Sequence, residues 1–95
     1  MDCLLALALV HHLAIGRNVP LERISAFFAT LAPQLVIEFV PREDDMVRTL
    51  LATREDVFAD YTIEHLRAAF AADWETVAEA PIPGTARTLF SFRRR

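Results

Sequence analysis

An unbroken apolar run near the amino terminus, Cys3 to Val10, most limits what this chain can fold into. The run does not alternate polar and apolar residues, which is typical of a strand buried on both faces of a parallel sheet. Its leucine-rich composition also suits a helix, so the choice between strand and helix depends on the pattern of the segments that follow. The acidic Asp2 before it and its short length argue against a signal peptide and a membrane span.

The next two segments favour a strand for this run, because they alternate helix and strand. Pro20 suits a first helical position, and the apolar residues from Leu21 to Leu31 recur at helical spacing. This pattern predicts an amphipathic helix from Pro20 that ends near Pro33. The β-branched run from Leu35 to Val40 then predicts a strand that Pro41 terminates.

The second half of the chain predicts two helices followed by two strands. Acidic residues at 43–45 introduce a short helix, whose apolar face consists of Met46, Val47, Leu50 and Leu51. Thr62 is a candidate N-cap for a third helix. Two strands, Trp74 to Ala80 and Thr85 to Arg93, flank a turn at Pro81–Gly84. The predicted fold is a single α/β domain over residues 1–95, with a mostly parallel sheet, flanking helices and an antiparallel last strand.

Composition and charge restrict the partners of such a domain. Hydrophobic residues make up 54% of the 95 residues, whereas a domain of this size buries only about 60 to 65% of its unfolded surface. Some apolar surface is therefore left for a partner. The net charge of -3 argues against nucleic acid and anionic membranes, and Arg93 to Arg95 are interpreted as a solvated end. The single Cys3 excludes internal disulfides and favours the cytoplasm.

Three segments resemble the class I S-adenosylmethionine-dependent methyltransferases. Asp2 to Leu13, which ends in His-His-Leu, is similar to the fourth strand and following loop of that family. Leu35 to Val40 is similar to its fifth strand, and Pro81–Gly84 with Thr85 to Phe92 to the hairpin of its sixth and seventh strands. The resemblance covers essentially the whole chain and is closest to a nodulation-protein-like subgroup.

The resemblance implies the C-terminal half of a Rossmann-like methyltransferase fold. The other half of that fold would carry the Gly-rich turn and the acidic residue that hold the cofactor. S-adenosylmethionine is therefore implied for the intact enzyme, and we expect no cofactor on this chain alone. We expect the chain by itself to be inactive.

The same resemblance assigns candidate site residues. It places His11 and Leu13 beside the cofactor's methyl group, and Glu38 in the lining of the substrate site. His12 is the candidate general base, because imidazole titrates near neutral pH; alternatively, His11 and His12 only cap the strand and shape the pocket. Glu38 equally fits a structural hydrogen bond. A metal site is not expected, because adjacent strand residues point to opposite faces and Cys3 and His65 lie far along the chain.

Two hypotheses about function follow. The first is a substrate-side methyltransferase half with an unknown small-molecule or sugar-like acceptor. The second is a non-catalytic α/β module for oligomerisation or protein interaction. In either case the first strand has no preceding neighbour, so we expect an open sheet edge. The sequence predicts that a homodimer covers it, with the helix from Pro20 in or beside the interface, or that a cofactor-binding partner half does.

Overall fold

The computed structural model describes residues 2–52 and 58–95. Its elements follow the predicted order of strand, helix, strand, two helices and two strands, with one π-helical turn at His12–Gly16 that was not predicted. The elements are β1 (Cys3–Ala6), α1 (Leu21–Ala29), β2 (Gln34–Phe39), α2 (Asp45–Ala52), α3 (Ile63–Ala71), β3 (Trp74–Pro81) and β4 (Thr88–Arg94).

The four strands form one mixed sheet in the order β1-β2-β4-β3. β1 pairs parallel with β2, with Leu4 opposite Leu35. β4 runs antiparallel to both of its neighbours and so lies between β2 and β3. Three strands therefore point one way and one the other, which confirms the predicted fold class. The last hairpin turns at residues 82–87 rather than at the predicted Pro81–Gly84, and Gly84 within this turn adopts the left-handed φ of 79° that glycine tolerates.

One face of the sheet carries the hydrophobic core. Phe28 of α1, Val47 of α2 and Phe70 of α3 belong to the same buried cluster as the strands. Alternate strand residues point to this face, and those that β2 and β4 bury there are Leu35, Ile37, Phe39, Phe90 and Phe92. All three α-helices therefore cover the same side of the sheet.

The prediction of one strand from Cys3 to Val10, buried on both faces, was wrong. β1 ends at Ala6, and Val10 and His11 already belong to a helical turn. Ala8 adopts a left-handed φ of 55°, which interrupts extended backbone. Leu5 is 66% exposed, because no described helix covers the second face of the sheet. The leucine-rich run lacks the β-branched residues that would favour a longer strand.

The terminal arginines are exposed, as the interpretation of a solvated end requires, but two of them also hold helix ends. Arg94 donates from Nη1 to the carbonyl of Ala29 at 2.8 Å, and Arg95 donates from Nε to the carbonyl of Ala71 at 2.7 Å. These carbonyls lie at the C-terminal ends of α1 and α3, where unpaired acceptors and the helix dipole favour cations. The basic end of the chain therefore has a structural role.

Two buried polar contacts fix helices to the sheet. The indole of Trp74 donates to the carbonyl of Ser25 at 3.1 Å, and the Ser25 hydroxyl donates to Asp73 at 2.8 Å. These bonds join α1 to the start of β3.

Thr62 caps α3 as predicted, since its hydroxyl accepts from the amide of His65 at 3.1 Å. None of the helices formed by residues 2–52 and 58–95 is long and apolar enough to span a membrane.

Candidate functional site

The carboxyl ends of β1 and β2 meet at one edge of the sheet, because these two strands are parallel. In open α/β sheets this edge is where ligands bind. The segment 7–18 follows β1, and residues 40–44 follow β2. The turn before β4 reaches the same edge, because β4 starts opposite the end of β2, with Thr88 facing Phe39.

The segment after β1 contains several residues in rare backbone conformations. Ala8 and Asn18 both have φ of 55°, and residues His12–Gly16 form a π-helical turn. The left-handed region costs an alanine about 1 kcal/mol or more, whereas asparagine tolerates it better. π-helical turns are rare and occur frequently at functional sites. Backbone of this kind persists only where the surrounding structure holds it, which makes the segment a candidate for function.

His11 is the most unusual side chain of this segment. Its exposure is 0%, and within residues 2–52 and 58–95 neither Nδ1 nor Nε2 has a hydrogen-bond partner. Its ring lies 4.3 Å from that of His12, centroid to centroid. Burial, together with the neighbouring His12 and the guanidinium of Arg87, lowers the pKa of His11 to about 4 against the opposing effect of Asp44. The imidazole is therefore neutral at pH 7, and both of its nitrogens are buried without a partner among the described residues.

A cluster of one guanidinium and two carboxylates lies at the ends of β2 and β4. Arg87 donates from Nε and Nη2 to the two oxygens of Asp44 at 2.8 and 3.1 Å. Its Nη1 donates to Glu38 at 3.2 Å. Hydrogen bonding from Arg87 keeps the pKa of the Asp44 carboxyl below its usual range. All three side chains are largely buried, so two carboxylates share one cation and leave surplus negative charge at this edge.

Asp44 also organises the start of α2. Its Oδ1 accepts from the amide of Met46 at 3.0 Å, and its carbonyl accepts from the amide of Arg48 at 2.9 Å. A carboxylate at this position satisfies free amides of the first turn. The Arg87 cluster therefore fixes the loop after β2, the first turn of α2 and the last hairpin against one another.

An open cleft of about 420 Å³ adjoins this cluster. Glu38, Asp44 and Arg87 form part of its wall, and Glu43 and Asp45 extend it with further acidic groups. A second cleft, of about 150 Å³, lies where the segment after β1 meets α1 and α3. This second cleft is smaller than pockets that enclose drug-sized ligands.

The structure places the predicted site residues in different surroundings. His11 is buried and His12 is exposed, while Leu13 is half-buried against the core. Glu38 accepts a hydrogen bond from Arg87, which is the structural alternative offered for it, and it also lines the cleft; its role toward a substrate stays a prediction. Because His11 and His12 lie on a helical turn beyond the strand, the expectation that they point to opposite faces of a strand was wrong.

Asp44 and Arg87 were missed as site residues. Asp44 is one of several acidic residues in a charged loop, and Arg87 lies in a hairpin turn, so neither stands out in the sequence. They meet only because β4 inserts beside β2, a pairing that joins residues 43 positions apart in the chain. A lone arginine in a turn before an apolar strand is the single signal that could have suggested this contact.

The fold and this edge define an α/β domain with a polar crevice at the carboxyl ends of its parallel strands. No protein-family model matches the chain, and no solved structure matches it. The chain is similar to a curated relative, "Nodulation protein NoeA" of Rhizobium meliloti (strain 1021), with 48% identity over 93 residues. The match covers 98% of this chain and 20% of the relative, so the chain spans about a fifth of the relative's length.

Proposed function

We propose that this chain forms the substrate-side part of an S-adenosylmethionine-dependent methyltransferase that acts in nodulation on a small-molecule or sugar-like acceptor. The observation that carries the proposal is the crevice at the ends of β1 and β2, where the segment with His-His-Leu lies near the cluster of Glu38, Asp44 and Arg87. The antiparallel final hairpin agrees with the resemblance to that enzyme family. The nodulation role comes from the printed name of the relative alone.

The proposal gives each side chain of the crevice a role. Bound S-adenosylmethionine supplies an electrophilic methyl group. The resemblance places His11 and Leu13 beside that methyl group, and Glu38 orients the acceptor from a position fixed by Arg87. His12, exposed beside His11, would accept the proton that the acceptor's hydroxyl or amine loses when the methyl carbon leaves the sulfonium sulfur, as a neutral thioether, and bonds to the acceptor's heteroatom.

Kinetic measurements can show whether His12 is a general base or only lines the pocket. In an active enzyme that contains this segment, a His12→Ala variant that loses turnover several hundredfold with unchanged cofactor affinity supports a general base. A loss of a few-fold supports pocket lining, because methyl transfer to a good nucleophile depends more on orientation than on proton removal. The pH profile of turnover distinguishes the two roles, since only a base contributes an acidic limb.

A non-catalytic interaction module is the second candidate function. The observation that favours it is apolar side-chain surface left exposed among the described residues, with Leu5 at 66% and Phe27 at 56%. Both functions are compatible with one chain, since an enzyme part can also carry an interface.

Backbone amide NMR with added S-adenosylmethionine tests the proposed function on the chain as it exists. Isothermal calorimetry should show very weak binding or none, because the Gly-rich turn and the acidic residue implied to hold the cofactor belong to the other half of the fold. At millimolar cofactor, amide shifts should change in the segment after β1 and in residues 38–44. Micromolar affinity contradicts the proposed division of the fold, and shift changes confined to other elements contradict the proposed site.

A further inference from the structure

The part of the chain from residue 8 to residue 18, which we call the 8–18 segment, has a residue in the left-handed conformation at each end. Ala8 and Asn18 each have a φ of 55°, and the π-helical turn lies between them. Segments that move as a unit do so through changes of φ and ψ at a few such positions. The backbone of the 8–18 segment therefore has two places at which it can bend.

The hydrogen bonds of the 8–18 segment close within it or on the residue next to it. The amides of His12 and Leu13 donate to the carbonyl of Leu9 at 3.0 and 3.2 Å, and the amide of Val19 donates to the carbonyl of Leu13 at 3.0 Å. Within residues 2–52 and 58–95, no hydrogen bond joins the segment to an α-helix or to a strand. The burial of side chains therefore holds the segment in place.

Four buried side chains anchor the 8–18 segment in the core, namely Val10, His11, Ala14 and Ile15. The π-helical turn that carries two of them packs against α1 and α2. Three of the anchors are apolar, so their burial is equally favourable at any pH. His11 is the anchor whose charge can change near neutral pH.

The core around His11 does not accommodate a charged imidazole ring. An imidazolium donates from both nitrogens, and neither nitrogen has a partner among residues 2–52 and 58–95. The charged or titratable groups that act on the ring are His12 of the same segment, Arg87 of the last hairpin and Asp44 at the start of α2.

These three neighbours cannot compensate the charge of a protonated His11. Arg87 is a cation, and His12 becomes one in acid. Asp44 is the one anion of the three, and both of its oxygens already accept hydrogen bonds from Arg87. Burying an unpaired charge is costly, so a protonated ring is more stable in water than in its place in the core.

We propose that protonation of His11 opens the 8–18 segment as a unit while the sheet and the α-helices stay folded. The segment follows β1 at the edge where β1 and β2 end, so it acts there as a lid that acid opens. Local opening of a unit that few contacts tie to its surroundings requires less free energy than global unfolding. The inference concerns the motion of this segment and depends neither on a cofactor nor on methyl transfer.

Amide hydrogen exchange of the chain, followed by NMR and corrected for the intrinsic effect of pH on exchange, tests the lid. At pH 7 the amides of His12 and Leu13 should be at least tenfold less protected than the most protected amides of β2 and β4. Their protection should not depend on urea below the unfolding transition, because opening a short segment exposes little surface. From pH 7 to pH 5 their protection should fall about 20-fold, the effect of one histidine whose pKa is about 4 when buried and about 6.5 in water.

Two variants assign the effect of pH to one ring. His11→Leu should abolish the 20-fold fall in protection, because leucine cannot be protonated. His12→Leu is the matched control, since His12 lies in the same segment but is exposed, and this variant should keep the fall. Circular dichroism reports whether each variant folds, and His11→Met replaces His11→Leu if that variant does not.

Three results would overturn the proposal. The first is that the amides of His12 and Leu13 match those of β2 and β4 in both protection and urea dependence, because the segment then opens only with the whole domain. The second is that their protection in the wild-type chain is the same at pH 7 and pH 5. The third is a fall that persists when His11 is replaced, because another group then controls the opening.

Discussion

Replacing His11 by leucine should stabilise the protein, although His11 is wholly buried. Truncating or changing a buried side chain normally destabilises a domain. Here the two ring nitrogens have no partner among the described residues. Folding therefore removes both nitrogens from water, at a cost in free energy, and no hydrogen bond offsets that cost. Leucine is close to histidine in size and has no polar atoms, so it fits the site and removes that cost.

The expected gain is about 1 to 2 kcal/mol at pH 7. An unsatisfied buried polar group costs about 1 to 3 kcal/mol, and imperfect repacking around a different side-chain shape consumes part of the gain. For a domain of this size, each kcal/mol raises Tm by about 4 to 8 °C.

The gain should increase as the pH falls. The pKa of His11 is about 4 in the folded protein and about 6.5 in an unfolded chain. Between these values the unfolded state binds more protons, so wild-type stability is complete above pH 6.5 and is lost toward pH 4. From pH 7 to pH 5 the loss attributable to His11 is about 2 kcal/mol. The His11→Leu variant should not show this loss of stability between pH 7 and pH 5.

Urea denaturation at pH 7 and pH 5 measures both effects. His12→Leu is the control, because His12 is exposed and its replacement should stay within about 0.5 kcal/mol of wild type. A His11→Leu variant that is destabilised by 1 kcal/mol or more at pH 7 refutes the reasoning, since it means that the imidazole makes bonds the structure does not show. Parallel pH dependence of wild type and variant refutes the assigned pKa.

Three further predictions concern the contacts that build the site and the fold. Arg87→Met should cost about 2 kcal/mol in urea denaturation, because Glu38 and Asp44 lose their shared cation, while Arg93→Met at an exposed pair should cost less than about 1 kcal/mol. Thr62→Ala should cost about 1 kcal/mol, because α3 loses its N-cap bond; Thr62→Ser should restore most of it, and equal stability of all three proteins would contradict the cap. Arg94→Ala should increase hydrogen exchange at the C-terminal turn of α1, because the Ala29 carbonyl loses its donor; unchanged exchange there would show that this contact does not hold the helix end.

Periodicity in the sequence predicts the order of the elements, because the residues of each segment indicate whether that segment forms a helix or a strand. Pro20 and the apolar spacing after it specify α1, and the β-branched Leu35 to Val40 run specifies a strand that the structure places at Gln34–Phe39. The antiparallel last hairpin follows from a connection too short for a crossover. These features depend on residues close together in the chain, so sequence patterns within one segment are enough to predict them.

The features that sequence reasoning missed depend on contacts between distant segments. β1 stops at Ala6 because the next residues form a turn with a left-handed Ala8, a conformation that alanine rarely adopts and that no propensity predicts. The cluster of Arg87 with Glu38 and Asp44 depends on β4 lying beside β2. The uncovered face depends on all three α-helices packing on one side, which an alternating order of elements does not determine.

The most direct test of the proposed ligand crevice is the ¹⁵N spectrum of the three imidazole rings as S-adenosylmethionine is added. His11 and His12 lie in the crevice segment, whereas His65 lies on α3, paired with Glu22 at 2.8 Å, and serves as an internal control. We predict that the nitrogens of His11 and His12 shift at millimolar cofactor and that those of His65 do not. A response at His65 with none at His11 and His12 places the ligand in the other cleft, which His65 lines, and contradicts the proposal.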